Sequence, residues 1–363
     1  MKKKILITGG SGLLAINWAL SIRNNYTVTL LLHHKKISLS GVDTDVASLD
    51  SLDECLSVLV KHQPDIVVHT AGLTNIEECE SNPDLAKKVN VDLSKNIAIA
   101  CSDQGIKLVH ISTDHLFSGD QELATEESIT NPVNIYGETK LLGEQQVLEN
   151  CKDALIVRTN FFCWGMKYRQ SFSDFILNKL KNNKQSNLFS DVYFTPILVD
   201  ELVKKTHQLI DSNAIGIFNI VGSERMSKYE FGTKLAKHFN FDSGLINKIS
   251  INAKSSLVKR PKDMSLSNKK LCQVLNCEIA SLDEQLQTLK EQKNKDADNQ
   301  VVLDIIPYGR HYIDEDDIQS VVNVLRHGML TQGPKVSEFE NKIANYVGAK
   351  YTVAVANGTA ALH

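Results

Sequence analysis

The chain has 363 residues, with 40 Lys and Arg against 43 Asp and Glu and a formal net charge of −3; its cations are scattered, which argues against a polyanion or nucleic-acid partner. Cys55, Cys79, Cys101, Cys151, Cys163, Cys272 and Cys277 form no Cys-x-x-Cys pair, which excludes a zinc site or disulfide framework and fits a reducing compartment with buried thiols. No run approaches the ~18 apolar residues of a membrane span, and the basic Met1–Lys4 start lacks the apolar length of a signal peptide, so a cytoplasmic protein of two domains and part of a third is expected.

In chain order, Ile5-Leu6-Ile7 reads as a short apolar strand entering the turn Thr8-Gly9-Gly10-Ser11-Gly12-Leu13-Leu14-Ala15. A helix over about 13–24 and a second buried strand over 26–32 should follow, the opening of a doubly wound dinucleotide fold. The alternation continues: helix 52–61, strand 65–69, one long amphipathic helix 83–101, strand 107–112, helix 136–149, strand 154–159. Apolar strands alternating with helices predict an α/β fold, a parallel Rossmann sheet covered on both faces. Beyond Arg158 helices near 171–182, 199–212 and 228–239 with short strands such as 216–220 predict a smaller substrate lobe over the carboxyl ends of that sheet. The expected domains are 1–160 (dinucleotide binding), 161–285 (substrate lobe, with returns to the sheet), a polar linker 286–300, and a separate segment 301–363, a fragment of a second α/β domain.

Gly9, Gly12 and Ala15 stand three apart behind the first strand. Gly9 permits the tight turn, Gly12 lets backbone approach a pyrophosphate at the helix N-terminus, and Ala15 allows close helix–strand packing. The acid usual at the end of the second strand is replaced by His33-His34-Lys35-Lys36; a basic group there accommodates a 2′-phosphate, which leans to NADPH over NADH. His33 and His34 are adjacent and expected to diverge on a strand, so they predict no metal site. Trp164 and Phe161-Phe162 read as core, and the acidic run Asp314–Asp317 as a helix start. Ser112-Thr113-Asp114 ends a strand at the carboxyl edge, where a hydroxyl can donate to a carbonyl oxygen. In Tyr136-Gly137-Glu138-Thr139-Lys140 the Tyr and Lys share a helix face, and a nearby ammonium is expected to lower the phenol pKa. The arrangement suits proton transfer to a ketone or from an alcohol.

The turn Thr8–Ala15, the Ser112-Thr113-Asp114 triplet and the Tyr136–Lys140 stretch resemble extended short-chain dehydrogenases/reductases. More closely, residues 1 to about 285 resemble the dTDP-4-dehydrorhamnose reductase family, through 69–72 (His-Thr-Ala-Gly), 90–92 (Asn-Val-Asp), 111–119, 134–144, 157–159, 194–196 and 259–266. The resemblance implies NADPH- or NADH-dependent reduction of a nucleotide-linked keto sugar in polysaccharide biosynthesis, with no membrane partner; a homodimer is compatible with it. It also implies Thr113, Tyr136 and Lys140 as the catalytic trio. Gly9, Gly12, Leu13, Leu14, His34, Lys35, Ala71, Gly72, Tyr136 and Lys140 would contact cofactor, and Thr113, Asp114 and Arg260 substrate. Ala15 and His115 depart from the family pattern, the latter standing where these reductases usually carry Tyr. The alternatives are an epimerase or dehydratase on the same fold, or a non-catalytic nucleotide-binding subunit.

From Ile306 to Asp317, at Leu330–Pro334 and from Ala356 to Leu362 the chain resembles the start of a pyridoxal-phosphate sugar aminotransferase of the DegT type. The Schiff-base lysine of that family is expected beyond His363, so the segment alone is not expected to hold pyridoxal phosphate covalently or to transaminate.

Overall fold

The structure, a computed structural model, describes residues 2–254, 256–293, 301–303, 315–328 and 333–356. The chain divides into two units, Met1–Ile305 and Ile306–His363.

The first unit is built on a seven-stranded sheet. Its order is Gly216–Asn219, Leu155–Arg158, Lys107–Ile111, Ile66–His69, Lys4–Thr8, Thr27–Leu32, Asp43–Val46, and every neighbouring pair is parallel. Alternate residues of each strand point to opposite faces, so one apolar run feeds two cores. Ile5, Ile7, Leu30, Val109 and Val157 pack with helices Leu13–Ile22 and Val199–Asp211. Leu6, Leu31, Val67, Leu108 and Ile156 pack on the other face with Leu52–His62, Leu93–Asp103 and Ile135–Asn150. From Lys4–Thr8 the chain winds outward to Asp43–Val46, then returns to Ile66–His69 on the opposite side. Ligands bind at such a reversal, outside the carboxyl ends of the strands.

Between Pro83 and Asp103 the expected single helix is interrupted. Pro83–Lys87 is α-helical, Lys88–Asp92 is a π-turn, and Leu93–Asp103 resumes the α-helix. The extra residue of a π-turn re-aims the side chains around it; here the fully buried Asn90 faces the loop after Ile66–His69.

The smaller lobe gathers helices Phe172–Lys181, Lys228–His238 and Leu282–Lys293 around Phe162, Phe194 and Phe231. Phe231 lies 5.3 Å from Phe162 and 5.6 Å from Phe194, ring centre to ring centre. The linker expected over 286–300 is corrected at its start. Residues 286–293 complete the Leu282–Lys293 helix, Leu286 and Leu289 are fully buried, and Trp164 Nε1 donates to the Leu289 carbonyl at 2.7 Å. Residues 294–300 lie outside the described ones. Val301–Leu303 pairs antiparallel with Ile37–Leu39, so it belongs to the first unit rather than to the segment expected to begin at 301.

Five of the seven free cysteines, Cys55, Cys79, Cys101, Cys151 and Cys163, are buried, and burial pushes the Cys55 thiol up to about 12. Among the described residues no helix is long and apolar enough to cross a membrane.

The second unit contains helices Glu315–His327 and Pro334–Val347. Glu315, Asp316 and Asp317 occupy the first turn of the former, where carboxylates suit the helix dipole; Asp314 lies outside the described residues. Gly333 and Pro334 start the second helix and Gly348, at φ +70, ends it, the usual distribution of these residues. The stretches 306–310 and 357–363, which carry much of the aminotransferase resemblance, lie outside the described residues.

Candidate active site

A cavity of about 620 Å³ opens along the sheet reversal, lined by Gly9, Gly12, Ala71, Thr113, Tyr136 and Lys140 among others. At one end is the glycine turn. Gly9 sits at φ +66, and a Cβ there would lie 2.9 Å from both N and Cα of Ala71, so only glycine lets the two loops meet. Gly12 N donates to the Gly9 carbonyl at 2.8 Å. Gly12 begins the Leu13–Ile22 helix without a capping side chain, and Leu13 and Leu14 line the cavity; helix-start amides of this kind attract anions. Tyr168 Oη donates to the Ser11 carbonyl at 3.0 Å and holds the turn from the other side.

The basic run behind the second strand is only partly in place. His33 lines the cavity, whereas His34 and Lys35 do not; Lys35 Nζ rests 4.2 Å over the Tyr168 ring. The expected divergence of His33 and His34 is also corrected: the strand ends at Leu32 and the two rings lie 3.6 Å apart, centre to centre.

The other end is organised by helix Ile135–Asn150. Asn134 caps it, accepting from Gly137 N at 2.9 Å. A side chain at Gly137 would collide with the His115 carbonyl, so glycine lets the helix reach the loop carrying Thr113. Asn90 ties a third loop to this helix. It accepts from Leu73 N at 2.8 Å, donates to Leu73 O at 3.1 Å and donates to Thr139 Oγ1 at 3.0 Å.

Tyr136 and Lys140 are 9% and 6% exposed. Burial pushes the Tyr136 phenol up, with Thr113 hydrogen bonding in the opposite sense and Asp114 adding to the rise. The expected lowering by Lys140 is therefore corrected: desolvation of the phenolate dominates. Lys140 Nζ instead donates to the Ile111 carbonyl at 2.7 Å. Burial brings its ammonium down to about 8, opposed by Glu144. Glu144 in turn holds Arg158, at 3.0 Å from Nε to Oε1 and 2.8 Å from NH2 to Oε2. Beneath the site His69 and His110 stack at 5.5 Å and are kept neutral by burial.

Residues 2–294 match the family described as the RmlD substrate binding domain. The chain belongs to this family. Residues 311–363 of this RmlD-family chain match the DegT/DnrJ/EryC1/StrS aminotransferase family. The chain is 26% identical over 289 residues to the probable low-salt glycan biosynthesis reductase of Haloferax volcanii, covering 78% of this chain and 96% of that one. It is 32% identical over 279 residues to methionine adenosyltransferase 2 subunit beta of Mus musculus, covering 74% and 81%. Among solved structures, dTDP-4-dehydrorhamnose reductase of Bacillus anthracis in complex with NADP aligns with a TM-score of 0.70 and 26% identity, covering 80% of this chain and all of that one.

In this RmlD-family site the Thr113 hydroxyl lies 3.2 Å from Asp114 Oδ1, and Asn160 Nδ2 donates to the other oxygen of that carboxylate. Arg260 is not in this cavity. It lines a second one with Asp120, Lys254, Lys259 and Lys262, and pairs with Glu77; its charge still reaches His115 and Lys228. Asn160, Arg169 and Lys228 had no sequence signal. Asn160 follows a strand end, Arg169 follows Tyr168, and Lys228 is brought in by the smaller lobe, with Nζ 3.3 Å over the Phe194 ring and Asp114 nearby.

Proposed function

We propose that this chain is an NADPH-preferring reductase of a nucleotide-linked 4-keto-deoxysugar in glycan biosynthesis. The observation that carries the reading is the buried phenol of Tyr136, held protonated beside Thr113 and Lys140 in the cavity that begins at the glycine turn. A reduction needs an acid at the carbonyl oxygen, and a phenol raised above its ordinary range is in acid form at neutral pH.

The residues present fit a dinucleotide: uncapped helix-start amides at Gly12–Leu14, the close Gly9–Ala71 approach, and apolar Leu31, Leu32 and Leu49 farther along the wall. Gly9, Gly12, Leu13 and Leu14 would hold the pyrophosphate, Ala71 and Gly72 would flank it, and Lys140 would hold the nicotinamide ribose. When bound, that group supplies the hydride. Thr113 and Tyr136 hydrogen-bond the carbonyl oxygen of the substrate, Tyr136 yields its proton as the alkoxide forms, and the Lys140 ammonium stabilises the phenolate left behind. In the free site the Thr113 hydroxyl donates to Asp114 Oδ1, and it would turn that proton to the carbonyl oxygen when substrate binds. His33 favours the 2′-phosphate of NADPH. Reduction of a nucleotide-linked keto sugar agrees with the similarity to the dTDP-4-dehydrorhamnose reductase of Bacillus anthracis, and a reductase role in glycan biosynthesis agrees with the similarity to the Haloferax volcanii protein.

A second reading, a non-catalytic nucleotide-binding subunit, is favoured by the 32% identity to methionine adenosyltransferase 2 subunit beta. One experiment separates them: NADPH and NADH oxidation by the purified chain against a panel of nucleotide-linked 4-keto sugars. Turnover, faster at low NADPH than at low NADH, is expected. Tight NADPH binding with no turnover of any member would overturn the reductase reading in favour of the subunit.

A further inference from the structure

His115 lies in the wall of the catalytic cavity and is fixed there on three sides. Its backbone N donates to Thr113 Oγ1 at 3.3 Å. Its carbonyl meets Gly137 at the start of the catalytic helix. Its ring stands edge-on to Tyr136, 5.4 Å between centres. The ring nitrogens, by contrast, are not engaged. Nδ1 is buried without a partner. Nε2 is 4.0 Å from Asp114 Oδ1, beyond hydrogen-bonding distance. Among the described residues neither nitrogen has a hydrogen-bond partner; Nδ1 is closed off by its burial, which leaves Nε2 as the nitrogen that a ligand in the cavity can meet.

The ring is neutral: burial lowers its pKa, Lys228 and Arg260 act in the same sense, and Asp114 opposes them. A nitrogen of a neutral imidazole either donates or accepts, and a hydroxyl can pair with either kind. In the reductase reading Tyr136 addresses the carbonyl oxygen, and the imidazole stands beside the Tyr136 ring.

We infer that His115 is a specificity-determining residue that hydrogen-bonds the substrate hydroxyl on the ring carbon next to the carbonyl being reduced. The inference rests on the reductase reading above. A site with a polar group waiting for a hydroxyl discriminates against substrates that lack it, because the protein group is then left buried and unpaired.

The test compares two nucleotide-linked 4-keto sugars that differ only in that hydroxyl, each with NADPH, in the unmodified chain and in His115→Phe, which keeps a ring against Tyr136. The unmodified chain should favour the hydroxylated sugar by about tenfold to a hundredfold in kcat/KM, the worth of one buried polar group left unsatisfied. In His115→Phe the ratio should fall to near parity, and NADPH binding by calorimetry should persist. If His115→Phe loses NADPH binding, His115→Leu repeats the measurement with a smaller side chain. A ratio that survives the substitution overturns the inference and leaves the reductase reading intact; it would mean that a water, not the substrate, satisfies the ring. Absence of turnover of both sugars by the unmodified chain overturns the reductase reading itself.

Discussion

Replacing Tyr136 by Phe removes one oxygen and keeps a ring that is 9% exposed and packed edge-on against His115, so folding and NADPH binding should survive. The lost acid should lower kcat by about 10²–10⁴, or ~2.7–5.5 kcal/mol at ~1.36 kcal/mol per decade. The pH profile tests the reasoning more sharply. The phenol is raised above its ordinary 10.0, so it stays protonated, and competent as an acid, through neutral and mildly alkaline pH. Lys140, brought down to about 8, loses its proton first. In the unmodified chain kcat/KM should therefore fall as pH rises through about 8, while the ammonium that steadies the phenolate is lost. In Lys140→Met the activity should be lower but flat across that interval. The assay is initial-rate NADPH oxidation with a nucleotide-linked 4-keto sugar across neutral and alkaline pH. Tyr136→Phe turning over at the unmodified rate would remove Tyr136 from the chemistry. A limb near 8 that persists in Lys140→Met would remove Lys140 as its source.

Glu144→Ala should destabilise the chain by about 3–5 kcal/mol in urea unfolding, because it strands the Arg158 guanidinium, 3% exposed, without its partner; a loss under ~1 kcal/mol would mean that the site relaxes or hydrates. Gly9→Val should abolish NADPH binding in calorimetry, since φ is +66 and the added Cβ meets the Ala71 backbone; unchanged affinity would refute the phosphate-turn reading. A chain ending at Leu303, which keeps the strand paired with Ile37–Leu39, should bind NADPH as the full chain does. One ending at Ala280 should lose the smaller lobe, because Leu282, Leu286 and Leu289 leave its core; equal behaviour of the two would contradict that packing.

The parallel sheet was readable because its inner strands are apolar on both faces, as Ile66-Val67-Val68 is. The edge strand Asp43–Val46 was not: its residues are mostly exposed, and only hydrogen bonding to Thr27–Leu32 makes it a strand. Nor does hydrophobic spacing distinguish the π-turn at Lys88–Asp92 from the α-helix around it. The helix Leu282–Lys293 was legible only as a helix end running into a linker, because three leucines at i, i+4 and i+7 sit in an otherwise polar stretch. Within the site, helical spacing correctly brings Tyr136 and Lys140 into one cavity. It cannot register the desolvation that raises the phenol, nor the Ile111 carbonyl that accepts the lysine hydrogen bond. Arg260 was assigned to substrate by its motif, yet the fold turns it toward Glu77 and a different cavity. Residues delivered by the smaller lobe, such as Lys228, are distant in sequence from every motif they serve.

The hidden thiols make the chain a reporter of its own opening. Cys55, Cys101 and Cys151 lie between the sheet and one helical layer, and Cys163 lies in the opposite core. Burial pushes all four thiols up, and the thiolate is the reactive form. An alkylating reagent can therefore reach them only after a layer has lifted, whereas Cys272 and Cys277, partly exposed, supply a constant background. Labelling resolved by mass would read out, cysteine by cysteine, which face of the sheet comes undone first.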